Sequence, residues 1–171
     1  MSDGNASSPT VSVGLPVYNG EQYLGEAIEC ILGQQGVDLE LVISDNASTD
    51  RTAAIAEEAA QRDSRVKYFR NETNLGAATN YNRAYELSSG RYFKWAAADD
   101  LFSEDMLARC IEKLESRSDA VLCYTGVTII GPDGKAIRPY EEPFNLDVAS
   151  PVERFHTLRG LLGECNAVFG V

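Results

Sequence analysis

The sequence predicts an α/β fold, a mostly parallel sheet with helices on both faces. Three observations predict it. A short apolar run followed by helical periodicity occurs four times in succession, turn residues separate the units, and acids follow two of the runs. Such alternation joins parallel strands through right-handed crossovers. Ligands of open α/β sheets lie in the crevice outside the carboxyl ends of the strands. Asp45-Asn46 and Asp99-Asp100 stand at two such ends.

The elements follow in order. Thr10 to Pro16 alternates and breaks at proline, which predicts a first strand ending in a loop. Leu24, Ala27, Ile28, Ile31 and Leu32 recur at helical spacing and are closed by Gly33 and Gly36. Leu39 to Ser44 is the second strand. Ser48-Thr49-Asp50 then offers N-cap side chains and an acidic first turn to a helix near Arg51 to Arg62. Val66 to Phe69 is a short third strand, and Asn74-Leu75-Gly76 turns into a helix around Ala77 to Leu87. After Ser88-Ser89-Gly90, Tyr92 to Ala97 forms the fourth strand. Ser103 can cap a fourth helix whose inward face is Met106, Leu107, Cys110, Ile111 and Leu114. Ala120 to Tyr124 and Gly126 to Ile130 predict a fifth strand or strand pair, and Pro132-Asp133-Gly134-Lys135 a turn after it. From Pro139 to Pro151 the pattern dissolves into acidic loop. Arg154 to Leu162 reads as one more helix, and Ala167 to Val171 as the start of a strand.

At 171 residues the chain suffices for one domain burying about 70% of its unfolded surface. Its net charge of −11 argues against a nucleic-acid partner and against a polybasic grip on anionic lipid. No apolar run reaches the roughly 18–20 residues that span a bilayer. Met1 to Pro9 lacks an apolar core and reads as a disordered tail. Cys30, Cys110, Cys123 and Cys165 are scattered, with no C-x-x-C, so reduced core thiols and cytoplasmic residence are expected. The N-x-[ST] triplets at Asn5, Asn46 and Asn71 then read as turn and cap chemistry.

Several common site motifs are absent. No G-x-G-x-x-G follows the first strand, no G-x-x-x-x-G-K-[ST] occurs, and no G-x-S-x-G elbow is present. The one histidine, His156, has no partners for a hydrolase triad and reads as structural or solvated. A receiver-type signalling domain also holds Mg²⁺ with acids at strand ends, but it needs paired acids where this chain has Pro16-Val17-Tyr18. Tyr18, after the first strand, could stack on a nucleobase, or simply pack in its loop. Asp45 could accept a hydrogen bond from a base N–H, or form an Asx turn. Asp99 and Asp100 could hold a hard cation, which takes one or two carboxylates plus ligand phosphates, or lead acidically into the next helix.

Together, Val11 to Gly20, Val42 to Asp50, Asn74-Leu75-Gly76 and Trp95 to Asp100 resemble the family 2 glycosyltransferases of the GT-A fold. The resemblance covers roughly Val11 to Ser116. It implies first-half strand order 3-2-1-4, a nucleotide-diphospho-sugar donor, a divalent cation (Mg²⁺ or Mn²⁺) and inverting transfer to a glycan or lipid-linked acceptor. Pro16, Val17 and Tyr18 match the family's loop around the base, and Asp45 the acid that contacts it. Asn74 and its helix line the donor cleft, with Arg83 the nearby cation for the diphosphate. Asp99 matches the last acid of the D-x-D motif and Asp100 the acid beside it, whereas Ala97 replaces the first acid. The family's general base lies beyond Val171, so the chain resembles the donor-binding half of a longer enzyme. It either transfers sugar or only binds the donor. Residues 10–138 are then the donor domain and 139–171 the start of an acceptor-side region. The region from about Pro139 onward, with the apolar Val168, Phe169 and Val171, is expected to be poorly anchored or covered by a second copy, in a dimer through the C-terminal third.

Overall fold

The computed structural model describes residues 8–140, 148, 150–153 and 156. The chain divides into two compact units, Met1–Ala120 and Val121–Val171.

In the first unit the elements run β1 (Val11–Val17), α1 (Leu24–Leu32), β2 (Leu39–Asp45), α2 (Thr52–Arg62), β3 (Val66–Arg70), α3 (Ala77–Glu86), β4 (Tyr92–Trp95) and α4 (Met106–Ser116). The four strands pair in parallel in the order β3-β2-β1-β4, as the sequence and its resemblance lead one to expect. Each crossover carries a helix, because parallel neighbours cannot be joined by a tight turn.

The two faces of the sheet differ in chemistry, and the period of two explains how. Val11, Val13, Leu15 and Val17 of β1 and Leu39, Leu41 and Ile43 of β2 share one buried cluster with Leu24, Ile28 and Ile31, Ala56 and Ala59, and Met106 and Leu107. The alternate positions Ser12, Gly14, Glu40, Val42 and Ser44 are also buried, and α3 lies over them: Asn80 bonds Ser44, and Ala84 is near Gly14. One face is therefore an apolar core and the other a polar-lined seat for a single helix.

Several boundaries differ from expectation, each for a physical reason. β1 does not stop at Pro16 but continues to Val17. Gly14 accepts from the Ala96 amide on the β4 side, and two residues on, Pro16 faces that side beyond the end of β4. Its missing N–H leaves no ladder bond unmade. The N-cap position of α2 is Arg51, not the preceding cluster, although Asp50 still accepts from the Thr52 amide at 2.9 Å. Ser103 lies too early to cap α4, whose N-cap is Asp105. Its carbonyl instead accepts from Met106 N and from Gln34 Nε2.

The second unit holds an antiparallel hairpin of β5 (Val127–Ile130) and β6 (Ala136–Tyr140) around the expected turn, with Gly134 at φ +72°. Ala120 to Tyr124 is not a strand. Val121 is 97% exposed, and among the described residues no neighbouring strand pairs with this apolar run. Residues 151–153 and 156 are helical, and the rest of the helix expected at Arg154 to Leu162 lies outside the described residues, as do Cys165 and Val168 to Val171.

Candidate functional site

The carboxyl ends of β1 and β2 feed two loops that are tied to each other. Asn46 N donates to the Val17 carbonyl at 2.9 Å, Asn19 N to Ser48 Oγ at 2.9 Å, and Gly20 N to Thr52 Oγ1 at 2.8 Å. In return Thr49 N donates to Asn19 Oδ1 and Arg51 N to Glu21 Oε2, both at 2.8 Å. The rim of the crevice is thus braced by backbone amides that would otherwise be unpaired.

Asp45 ends β2 and is wholly buried. Its Oδ1 accepts from the Ser48 amide at 2.8 Å and its Oδ2 from the Tyr68 hydroxyl at 2.9 Å, while an Arg70 nitrogen stands 3.8 Å from Oδ2. Burial, followed by the bond to Asp45, pushes the Tyr68 hydroxyl up to about 12 from its usual 10. Tyr68 and Arg70 were not singled out in the sequence. Only the pairing of β2 with β3, which puts Arg70 level with Asp45, brings them there.

An asparagine network joins the same strand end to α3. Asn46 Oδ1 accepts from Asn71 Nδ2 and from Leu75 N, and Asn46 Nδ2 donates to Asn74 Oδ1 at 2.8 Å. Asn80 Nδ2 donates to the Ser44 carbonyl, and Asn80 Oδ1 accepts from Ser44 Oγ and Asn71 Nδ2. Asn74 also accepts from Gly76 N, where the backbone takes φ +81°, a conformation natural to glycine. Two of the N-x-[ST] asparagines, Asn46 and Asn71, are therefore loop fasteners. Asn80 is a further fastener that the sequence pattern alone did not reveal.

Tyr18 follows β1 and is half exposed, while Pro16 and Val17 are buried within the strand. Arg83 lies in the last turn of α3, about 9 Å along the axis from Ala77, with its Nε buried and unpartnered. Past β4 the chain turns at Ala97, whose carbonyl accepts from Asp100 N. Asp99 is exposed and Asp100 half-buried. Burial raises the Asp100 carboxyl, the neighbouring Asp99 raises it further, and Lys94 partly offsets both. Lys94 itself is buried against the Phe102 ring, and desolvation brings its ammonium down to about 8. Tyr18, Asp45 and the Asp99–Asp100 pair thus all stand at the carboxyl side of adjacent strands, with β1 between the two acidic ends.

The profile of Glycosyl transferase family 2 matches residues 12–169. The chain belongs to this family. It is 34% identical over 126 residues, 74% of its length, to a Bacillus subtilis glycosyltransferase whose name provisionally assigns it to teichuronic acid biosynthesis. It is 30% identical over 140 residues to an uncharacterised glycosyltransferase of Methanocaldococcus jannaschii. The aligned parts are 50% and 48% of those two proteins, so this family 2 chain spans about half their length. Among solved structures, Staphylococcus aureus TarS with bound UDP superposes with a TM-score of 0.59 at 26% identity, over 64% of this chain and 33% of that one. A Pyrobaculum calidifontis mannosyltransferase holding GDP-mannose and Mn²⁺ gives 0.58 at 27% identity, with the same coverage. Both neighbours have the GT-A arrangement of this family 2 sheet.

Proposed function

We propose that the chain is the donor-binding portion of an inverting glycosyltransferase that takes a sugar from a nucleotide diphosphate. The observation that carries this reading is the pair of acidic strand ends flanking β1, Asp45 on one side and Asp99 with Asp100 on the other. Tyr18 supplies a half-exposed ring for the base, Asp45 and Asn74 hold the rim at that end, and Asp99 and Asp100 serve the diphosphate end. The neighbours solved with UDP and with GDP-mannose support the same donor class.

The residues present fit a divalent cation. Asp99 and Asp100 offer adjacent oxygen donors, and burial beside Asp99 disfavours ionised Asp100 until a positive charge arrives. Among the described residues no group of three metal-binding side chains occurs, so the remaining ligands would be diphosphate oxygens and water. When bound, Mg²⁺ or Mn²⁺ would neutralise the charge that grows on the leaving diphosphate. Asp99 and Asp100 hold their carboxylates at that end, while the braced loops keep the donor from shifting as the sugar departs.

The acceptor we propose is a glycan or lipid-linked glycan, with the enzyme cytoplasmic and peripheral at the inner face of the membrane. The relative named for teichuronic acid biosynthesis supports this, as do Cys30, Cys110 and Cys123, none of which is in a disulfide. No described helix is long and apolar enough to cross a membrane. A second copy is a further proposed partner, supported by the exposure of Val121, Leu122 and Ile137. Light scattering giving a monomer would remove it.

Calorimetric titration with UDP, GDP and dTDP, with and without Mn²⁺, tests the donor reading. Binding of at least one, strengthened by Mn²⁺, is expected, and binding of none defeats it. Because the chain spans half of its relatives, donor binding without transfer is the second reading. Equal transfer by this chain and by a longer one would exclude it.

A further inference from the structure

Resting on the nucleotide-sugar reading, we propose that Arg70 reads the base of the donor and that Asp45 and Tyr68 are positioning residues that hold it. Val17, Asp45 and Arg70 stand level across β1, β2 and β3. Of these, Asp45 is sealed: it has no exposed surface, and each of its oxygens already accepts a hydrogen bond from the protein. Arg70 is the reverse case. One guanidinium nitrogen donates to the Ser48 carbonyl at 2.7 Å and another stands 3.8 Å from Asp45, yet 45% of the side chain is exposed. It is tethered on one edge and open on the other.

The tether is what a recognition residue needs. A guanidinium free to swing pays rotamer entropy when it binds, whereas one already held by a carbonyl and a buried carboxylate pays little. Tyr68 contributes by fixing the carboxylate, since its hydroxyl on Oδ2 restricts how Asp45 can turn toward Arg70.

Sheet order says which part of the donor arrives there. Asp99 and Asp100 follow β4 at one edge, and β3 is the other edge, three strand spacings or about 14 Å away. A donor lying across the strand ends with its diphosphate at the acids brings its base to β2 and β3. The guanidinium only donates hydrogen bonds. It therefore suits a base with a ring carbonyl acceptor, such as uracil, thymine or guanine, better than adenine, whose exocyclic group is a donor and whose acceptors are ring nitrogens alone.

The test is calorimetric titration of the whole chain with UDP, GDP, dTDP and ADP, for the wild type and for Arg70→Met, Arg70→Lys and Tyr68→Phe. Circular dichroism and thermal melting report the fold of each. The wild type is expected to bind at least one oxo-base nucleotide about tenfold or more tighter than ADP. Arg70→Met should erase most of that preference while ADP affinity stays put. A merely structural role would instead weaken every nucleotide alike. Tyr68→Phe should lower the preference by a smaller factor. A preference that survives Arg70→Met overturns the proposal. If that variant does not fold, Arg70→Lys keeps the charge beside Asp45 but loses the fork, and an unchanged preference there overturns it equally. Wild-type binding of ADP as tight as that of UDP, GDP and dTDP also overturns it. Binding of no nucleotide defeats instead the donor reading beneath it.

Discussion

Ala47 adopts φ +62° between Asn46 and Ser48, a left-handed conformation that crowds its Cβ against the following carbonyl. Glycine has no such conflict, so Ala47→Gly should stabilise the chain by about 0.5–1 kcal/mol in urea unfolding. Destabilisation would mean that the loop holds another conformation. Glu40 makes a second prediction. It is buried at the far end of the sheet from the candidate site. Burial alone would raise its carboxyl, but hydrogen bonds from Lys67, Ser12 and Ser89 outweigh that and hold it at about 2 against an ordinary 4.5. Because the folded value is depressed, the stabilisation is complete above pH 4.5 and lost as pH falls toward 2. Glu40→Gln should be less stable at neutral pH and should lose part of this acid dependence in unfolding curves. An unchanged acid profile would remove Glu40 from the account. At this scale the sequence was legible for the place of Asp99 and Asp100, just past the carboxyl end of β4. It was not legible for Tyr68 and Arg70, whose place beside Asp45 depends on strand register 23 and 25 positions away in the chain.

Helix α3 shows how an element depends on what lies beneath it. A Cβ at Gly14 would come within 2.7 Å of the Phe93 ring and 3.3 Å of Ala84. Phe93 in turn packs edge-on against Tyr85 and Trp95, so the ring has little freedom to yield. Gly14→Ala should therefore cost about 1–3 kcal/mol by overpacking. Phe93→Leu in the same chain should recover part of the loss, and additive losses would show the two sites to be independent. The helices and strands were readable because periodicity sets them locally. Their ends were less so: Pro16 is tolerated in β1 only because β4 has already stopped, and no local pattern shows that. Ala120 to Tyr124 has strand composition but, among the described residues, no strand to join, which is a property of its neighbours and not of the segment.

Across the whole first unit, the order β3-β2-β1-β4 makes a crevice with an arginine and a sealed acid at one edge and two further acids at the other. Repeated strand–helix units made the parallel sheet legible, and the motif resemblance carried its order. The bracing of the rim by Asn46, Asn80 and Ser48 required the folded chain. If Asp99 and Asp100 together hold the cation, Asp100→Asn should abolish most of the Mn²⁺ dependence of nucleotide binding while leaving metal-free binding within about twofold. A variant that keeps the full Mn²⁺ effect would move the metal elsewhere. The most direct measurement is an amide NMR spectrum of the labelled chain titrated with UDP and Mn²⁺. The account predicts paramagnetic broadening centred on Asp99 and Asp100, with nucleotide-induced shifts extending through Tyr18, Asn46 and Arg70. Broadening centred away from that turn, or shifts that miss the carboxyl ends of β1, β2 and β3, would contradict it.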